Sequence, residues 1–378
     1  MTVEIKQIPL NKRRLKDFVK FPIDTLYRGH EYYVPALITD EVATFLPDKN
    51  PAFDFCECIC LMAYSHNRPV GRVAGIINRK VNERKGVNEA RFGFIDFIND
   101  NDVVDALIDA VKQWAKQKGM TQLTGPLGFS DMDPEGALIE GFDQLGTQAT
   151  IYNFPYYSEQ FERLGMVKAN DWVEFKITVP EEVPPKMAKV ANIVAQRYNL
   201  SNVRFTSRKQ LVKEYGNAIF ELINRAYDNL YGFSPLSTKQ IAHYIKMYLP
   251  YLPLDDISLI VKNENRELVG VGISIPSLSK ALIKCRGRIF PMGWRHLLNA
   301  LRHADIVDLM LVAVDPEYQS KGVNSMLFND LIPFYNKHGY IWAESNPEME
   351  GNDQVQRQWQ YFDVEQHKRR RAYTMPIE

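Results

Sequence analysis

The sequence predicts an α/β protein built twice, as two tandem domains that each hold a mixed, mostly antiparallel twisted sheet flanked by helices. Three observations point there. A proline-rich connector divides the chain near its middle, the order of strand and helix patterns is the same on both sides of it, and glycines recur at matching places in the two halves.

The connector is VPEEVPP, Val179 to Pro185, whose three prolines and two glutamates can continue neither a strand nor a helix. It sets the expected domains at 1–178 and 186–378. Each half opens on a short strand pattern, VEIKQIPL or SNVRFTS, followed by a long amphipathic helix. Paired strands come next, HNRPVGRVAGII from His66 and ENRELVGVGISI from Glu264, each with a turn at Asn-Arg and a glycine soon after. Central strands follow, ARFGFIDFI from Ala90 and IVDLMLVAV from Ile306. A helical pattern then runs to a glycine stop, at Gly119 in one half and Gly339 in the other. TQLTGPL and YIWAES supply a further strand each, and WVEFKIT and RRAYTMPI close the halves.

Composition narrows the function. The chain has 378 residues, 45% hydrophobic and 24% charged, enough for two cores. Lysine plus arginine equals aspartate plus glutamate at 46 each, so no overall field draws nucleic acid or an anionic membrane. No window approaches the roughly 20 apolar residues of a spanning helix, and the polar N-terminus is not a signal peptide. With four cysteines there is no disulfide framework, and a reducing cytoplasm is expected. Cys56, Cys58 and Cys60 alternate along one strand face, a row rather than a tetrahedron, so buried thiols and no metal site are expected.

The stretch DPEYQSKGVNSML, Asp315 to Leu327, is the chemical focus. A buried strand delivers a polar turn that opens a helix, where unsatisfied N–H groups and the helix dipole favour an anion. Gly322 permits close approach, and Lys321 and Ser325 add a cation and a hydroxyl. Aligning Gly119 with Gly339 sets NDNDVV against QSKGVN, so that Asp102 stands opposite Gly322. Carboxylates there repel a pyrophosphate and cap the helix themselves. One half is built for an anion and the other against it.

VAVDPEYQSKGVNSML resembles the coenzyme motif of the GNAT superfamily, the acyl-CoA-dependent N-acyltransferases, matching at Val314, Pro316, Tyr318, Gln319 and Gly322 and departing at Asn324. The repeated topology extends the resemblance over nearly the whole chain as a tandem pair. It implies acetyl-CoA or another acyl-CoA as cosubstrate, without metal. Backbone groups near Val312 and Val314 would hold the pantetheine arm, and amides of Gln319, Ser320, Lys321, Gly322, Val323, Asn324 and Ser325 the pyrophosphate. In many members a helical tyrosine protonates the leaving thiolate. The matching run NDQVQRQWQYFDV puts Trp359 there, and an indole is no general acid.

Glu344, in AESNPEMEGN, is the expected base for a protonated amine, with Glu348 and Glu350 read as loop carboxylates. Asn229 and Tyr231 are the expected substrate contacts. The expected acceptor is a small-molecule or peptide amine, with no membrane and no nucleic acid as partner. Two alternatives stay open: a GNAT-fold protein that holds coenzyme or another ligand without turnover, and a transferase using aminoacyl-tRNA.

Overall fold

The computed structural model describes residues 2–377, and all their side chains except those at 353 and 354. Contacts divide the chain into two compact units. One comprises Met1–Val173, Leu278–Leu297 and Lys368–Glu378, the other Glu174–Ser277 and Leu298–His367.

In the first unit, β1 (Glu4–Ile8), β2 (Cys56–Ser65), β3 (Arg68–Asn78) and β4 (Glu89–Phe97) pair antiparallel in that order. The β2–β3 turn falls at His66 and Asn67, both left-handed, as a two-residue hairpin of right-twisted strands requires. β5 (Gln122–Gly125) then joins β4 in parallel, after the crossover helix Asn101–Gln117. β6 (Ala137–Glu140) follows.

Period-two alternation sorts the side chains of β2 onto two cores. Ile59, Leu61 and Ala63 face the helix Asn101–Gln117, with Val103, Leu107 and Val111. Cys56, Cys58 and Cys60 face the opposite way, among Phe18, Phe45 and Phe129. Burial pushes the Cys56 thiol up to about 12, so it packs as a small apolar group.

The second unit repeats the plan. β7 is Val167–Thr178, of which the unit holds the end from Glu174; β8 is Leu200–Val203, β9 Ile257–Lys262, β10 Leu268–Pro276, β11 Ile306–Val314, β12 Trp342–Ser345 and β13 Glu348–Met349. β8, β9, β10 and β11 pair antiparallel, and β12 joins β11 in parallel after helix Val323–His338. Helix Pro185–Arg197 packs on that crossover helix, with Ala191 and Val194 against Val323, Met326 and Leu327. Prolines that read as connector therefore run into a helix, with Pro185 at its first position, where no N–H is needed.

The closing strands are exchanged. Trp342, Ala343 and Glu344 of β12 pair with Thr178, Ile177 and Lys176 of β7. β14 (Val364–Pro376) pairs its Tyr373 to Pro376 with Gly125 to Gln122 of β5. Each closing strand completes the sheet begun by the other half of the sequence.

Candidate functional site

β11 pairs with β12 only from Ile306 to Leu309, and the two strands then part. On its other side β11 stays paired with β10 as far as Val314, around a bulge at Met310. The Asp315 N–H donates to Val269 O. Alternation along an antiparallel ladder then turns the peptide groups of Val312 and Val314 to the open edge. Side chains already reach the carbonyls there. The Tyr227 hydroxyl donates to Val312 O at 3.0 Å, the Gln319 amide to Val314 O at 3.2 Å, and the Asn346 amide to Met310 O.

Past the strand, the Asp315 carboxylate accepts the Glu317 N–H at 3.1 Å and pairs with Arg225 at 3.0 Å. Gly322 follows as N-cap of helix Val323–His338, with φ +85°. The Ser325 N–H turns back to Gly322 O at 3.0 Å. Among the described residues, the N–H groups of Gly322, Val323 and Asn324 meet no acceptor, and the first turn holds no acidic side chain. Three donors thus stand at the positive end of a 16-residue helix, where the dipole favours negative charge.

The glycine has a second task that the sequence did not disclose. A Cβ at 322 would lie 3.0 Å from Val190 Cγ1 and 3.2 Å from Val194 Cγ2, so its bareness also admits helix Pro185–Arg197. Ser320 is left-handed too, at φ +59°. The Lys321 ammonium lies over the rings of Tyr198 and Tyr318, at 5.3 and 5.2 Å. The Asn324 amide donates to Gln358 Oε1 at 3.2 Å, so its side chain turns away from the free amides.

The corresponding place in the first unit is closed. The Asp100 carboxylate accepts the Val103 N–H at 3.3 Å, and Asp102 occupies the first turn. β4 and β5 part after Arg91 and Thr124, but the chain doubles back and Leu127 N–H donates to Phe92 O at 2.9 Å. A Cβ at Gly93 would lie 2.1 Å from Leu127 O. Backbone fills the gap that stands open along β11.

Of the expected proton-handling groups, Glu344 is 2% exposed, and its Oε1 lies 2.7 Å from Nε2 of His367, whose side chain is 4% exposed. Asp308 of β11 stands beside it in register. Glu348 is not an ordinary loop carboxylate. The Trp359 indole donates to its two oxygens at 3.1 and 3.3 Å, and burial pushes the carboxyl up to about 8. The expected helix around Trp359 shrinks to one α turn, Asp353–Gln356, and a 3-10 turn, Arg357–Tyr361. Trp359 itself lines a small apolar hollow with Leu309, Phe328, Ile332, Tyr335 and Phe362, next to the point where β11 and β12 part. Glu350 is exposed.

Asn229 is exposed and Tyr231 half-buried in the loop after helix Arg208–Ala226. The Asn224 side chain holds that loop by bonds to Leu236 N–H and Leu236 O, at 2.7 and 3.1 Å. At the start of this loop the Tyr227 hydroxyl meets β11, at Val312 O. The sequence did not single out Tyr227 or His367, and it read Glu348 as a loop carboxylate. Each lies in or next to a stretch it had marked, but only the packing singles them out.

No family model matches the chain. A solved structure described as a tandem GNAT protein from the clavulanic acid biosynthesis pathway superposes on all of it with a TM-score of 0.60, at 13% identity, using 99% of its own length. The fold is that of a tandem GNAT protein. Among curated proteins, the chain is 27% identical to Protein YghO of Escherichia coli over 376 residues, covering 97% of the chain and 94% of the relative. It is 24% identical to the bacterial ceramide synthase of Caulobacter vibrioides over 326 residues, covering 83% and 81%. Among the described residues, no helix is long and apolar enough to cross a membrane.

Proposed function

We propose that this tandem GNAT protein is an acyl-CoA-dependent N-acyltransferase whose second unit holds the coenzyme and whose acceptor is a long-chain amino alcohol. The observation that supports it best is the set of unpartnered amides at Gly322, Val323 and Asn324, directly beyond the open edge of β11. The diphosphate of coenzyme A would take those three donors. Its pantetheine arm would run along Val312 and Val314, displacing the Tyr227 hydroxyl from Val312 O. The relative named bacterial ceramide synthase supports the acceptor class, because a ceramide is the fatty amide of a long-chain amino alcohol.

In this reading the neutral amine attacks the thioester carbon, and its proton passes to the Glu344–His367 pair. The carbon–sulfur bond then breaks, and the Glu348 carboxyl gives its proton to the departing thiolate. A carboxyl pushed up to about 8 still carries that proton at neutral pH. The Trp359 indole holds it in position, and so the tryptophan serves where a tyrosine acid is missing. Asn229 and Tyr231 remain proposed acceptor contacts at the rim.

The test is incubation with acetyl-CoA or palmitoyl-CoA and a panel of amines including sphinganine. Free thiol and the amide product are read together. Thiol release that depends on the amino alcohol supports the reading; no amide with any amine overturns it. A second reading, coenzyme binding without turnover, draws on Trp359, an indole that cannot act as the general acid at its position.

A further inference from the structure

An amphipathic helix normally hides its apolar stripe. In helix Val323–His338 eight residues are buried, and in Asn101–Gln117 six are. Helix Gly293–His303 does otherwise: of its eleven residues only Gly293 is buried. Trp294, Leu297, Leu298 and Leu301 recur at the spacing of one face, with Trp294 41% and Leu298 44% exposed. The turn before it adds Phe290, 78% exposed, and Met292, 48% exposed. Four of the large apolar side chains exposed among the described residues thus fall within nine positions, and one cluster calls for one explanation.

The segment is held firmly at its base. Arg286 and Arg288 both bond to Asp24, at 2.7 and 2.8 Å, and the Ile38 N–H donates to Gly287 O at 3.0 Å. Its tip closes on itself, with Trp294 N–H bonded to Ile289 O and the Trp294 indole to Pro291 O. Phe290 and Met292 are therefore presented by a braced turn.

Charge identifies the occupant. Residues 280–303 contain six lysines and arginines, of which Arg286 and Arg288 are paired with Asp24, two histidines and no acidic residue, within a chain whose formal charge is zero. Arg295 stacks on Trp294 at 5.2 Å, and Arg302 is exposed on the flank of the helix. A second copy of the same face would bring these cations against one another, since a two-fold contact repeats one patch on both sides. An anionic lipid surface satisfies both halves of the pattern: aromatic and aliphatic groups enter the headgroup boundary while the basic flank meets phosphate.

We propose that residues 284–303 form a peripheral membrane-docking surface that lays helix Gly293–His303 in the interface of an anionic bilayer. The sequence led to the expectation of no membrane partner, because it holds no spanning segment and no net charge, but a helix that lies on the surface needs neither that length nor a global field. The inference does not rest on acyl transfer, because binding alone is read.

The test is flotation of the purified protein with vesicles of phosphatidylcholine, alone or mixed with phosphatidylglycerol, alongside light scattering for oligomeric state. Wild type is expected to float with the mixed vesicles and to stay behind with pure phosphatidylcholine. Each cation near such a surface is worth about fivefold in partition, so Arg295→Gln with Arg302→Gln should lose on the order of 25-fold. Phe290→Ser with Met292→Ser should lose flotation without loss of thermal stability, since both side chains are exposed. Failure of wild type to float at low salt overturns the proposal, as does equal flotation of the variants. A wild-type dimer that fails to float and that Phe290→Ser with Met292→Ser dissociates would instead make the face a contact between copies.

Discussion

Replacing Glu348 by glutamine should flatten part of the pH dependence of stability. The carboxyl sits against the indole of Trp359, and burial pushes it up to about 8, where a carboxyl in the unfolded chain titrates near ~4.3. Because the folded-state value is the higher one, the folded protein holds a proton that the unfolded chain has lost anywhere between these limits. The stability Glu348 contributes is therefore complete below about pH 4, and it is lost as pH rises through about 8. A rise of that size corresponds to at most about 5 kcal/mol between the two ends of the window. One side of the carboxyl still reaches water, which reduces the figure to about 2 kcal/mol. Urea unfolding at pH 5, 7 and 9 measures it. Wild type should lose about 2 kcal/mol more than Glu348→Gln across that range, since the amide keeps the bond from Trp359 and never ionises. Parallel curves for the two proteins would refute both the burial argument and the proton-donor role drawn from it.

Other expectations follow from neighbouring geometry. Glu344→Gln should reduce turnover by about 100-fold or more if the Glu344–His367 pair takes the amine proton, with acyl-CoA affinity unchanged by calorimetry. Tyr227→Phe frees the Val312 carbonyl, and it should tighten acetyl-CoA binding by about 1 kcal/mol if the pantetheine must displace that hydroxyl. In the first unit, Arg72 bonds Asp96 at 2.7 Å and Glu41 at 2.6 Å, all three little exposed. Arg72→Met should cost about 3–5 kcal/mol in denaturant unfolding, because it strands two carboxylates.

Much of the fold was legible because the sequence states it twice. Matching hairpins, central strands and glycine stops at Gly119 and Gly339 mark the same layering on each side of residues 179–185, and local periodicity suffices to read them. The exchange of β7 and β14 was not legible. Which edge a closing strand joins depends on contacts far along the chain, such as Thr374 with Thr124. At the site, the turn from Asp315 to Ser325 could be found from a strand, a glycine and a helix in succession. Its environment could not: that Gly322 abuts Val190 and Val194, or that Asn324 turns to Gln358, follows from helices packed beside it. Glu348 illustrates the same limit. Three glutamates in AESNPEMEGN look alike in sequence, and burial alone separates Glu344 in its ion pair, Glu348 under an indole and Glu350 in solvent.

The central claim, that the amides of Gly322, Val323 and Asn324 hold the coenzyme diphosphate, is tested most directly by titration calorimetry with acetyl-CoA on Gly322→Ala and Gly322→Asp beside wild type. Both variants share the contact with Val190, and the left-handed backbone penalty, about 1–2 kcal/mol for alanine, is smaller for aspartate, so weaker binding by Gly322→Asp than by Gly322→Ala is due to the carboxylate. A charge within a few ångströms of the diphosphate should cost about 1–3 kcal/mol more, on the order of 5- to 150-fold in affinity. The account predicts that wild type binds and that Gly322→Asp binds at least about tenfold more weakly than Gly322→Ala. Equal affinities for the two variants, or no binding by wild type, would contradict it.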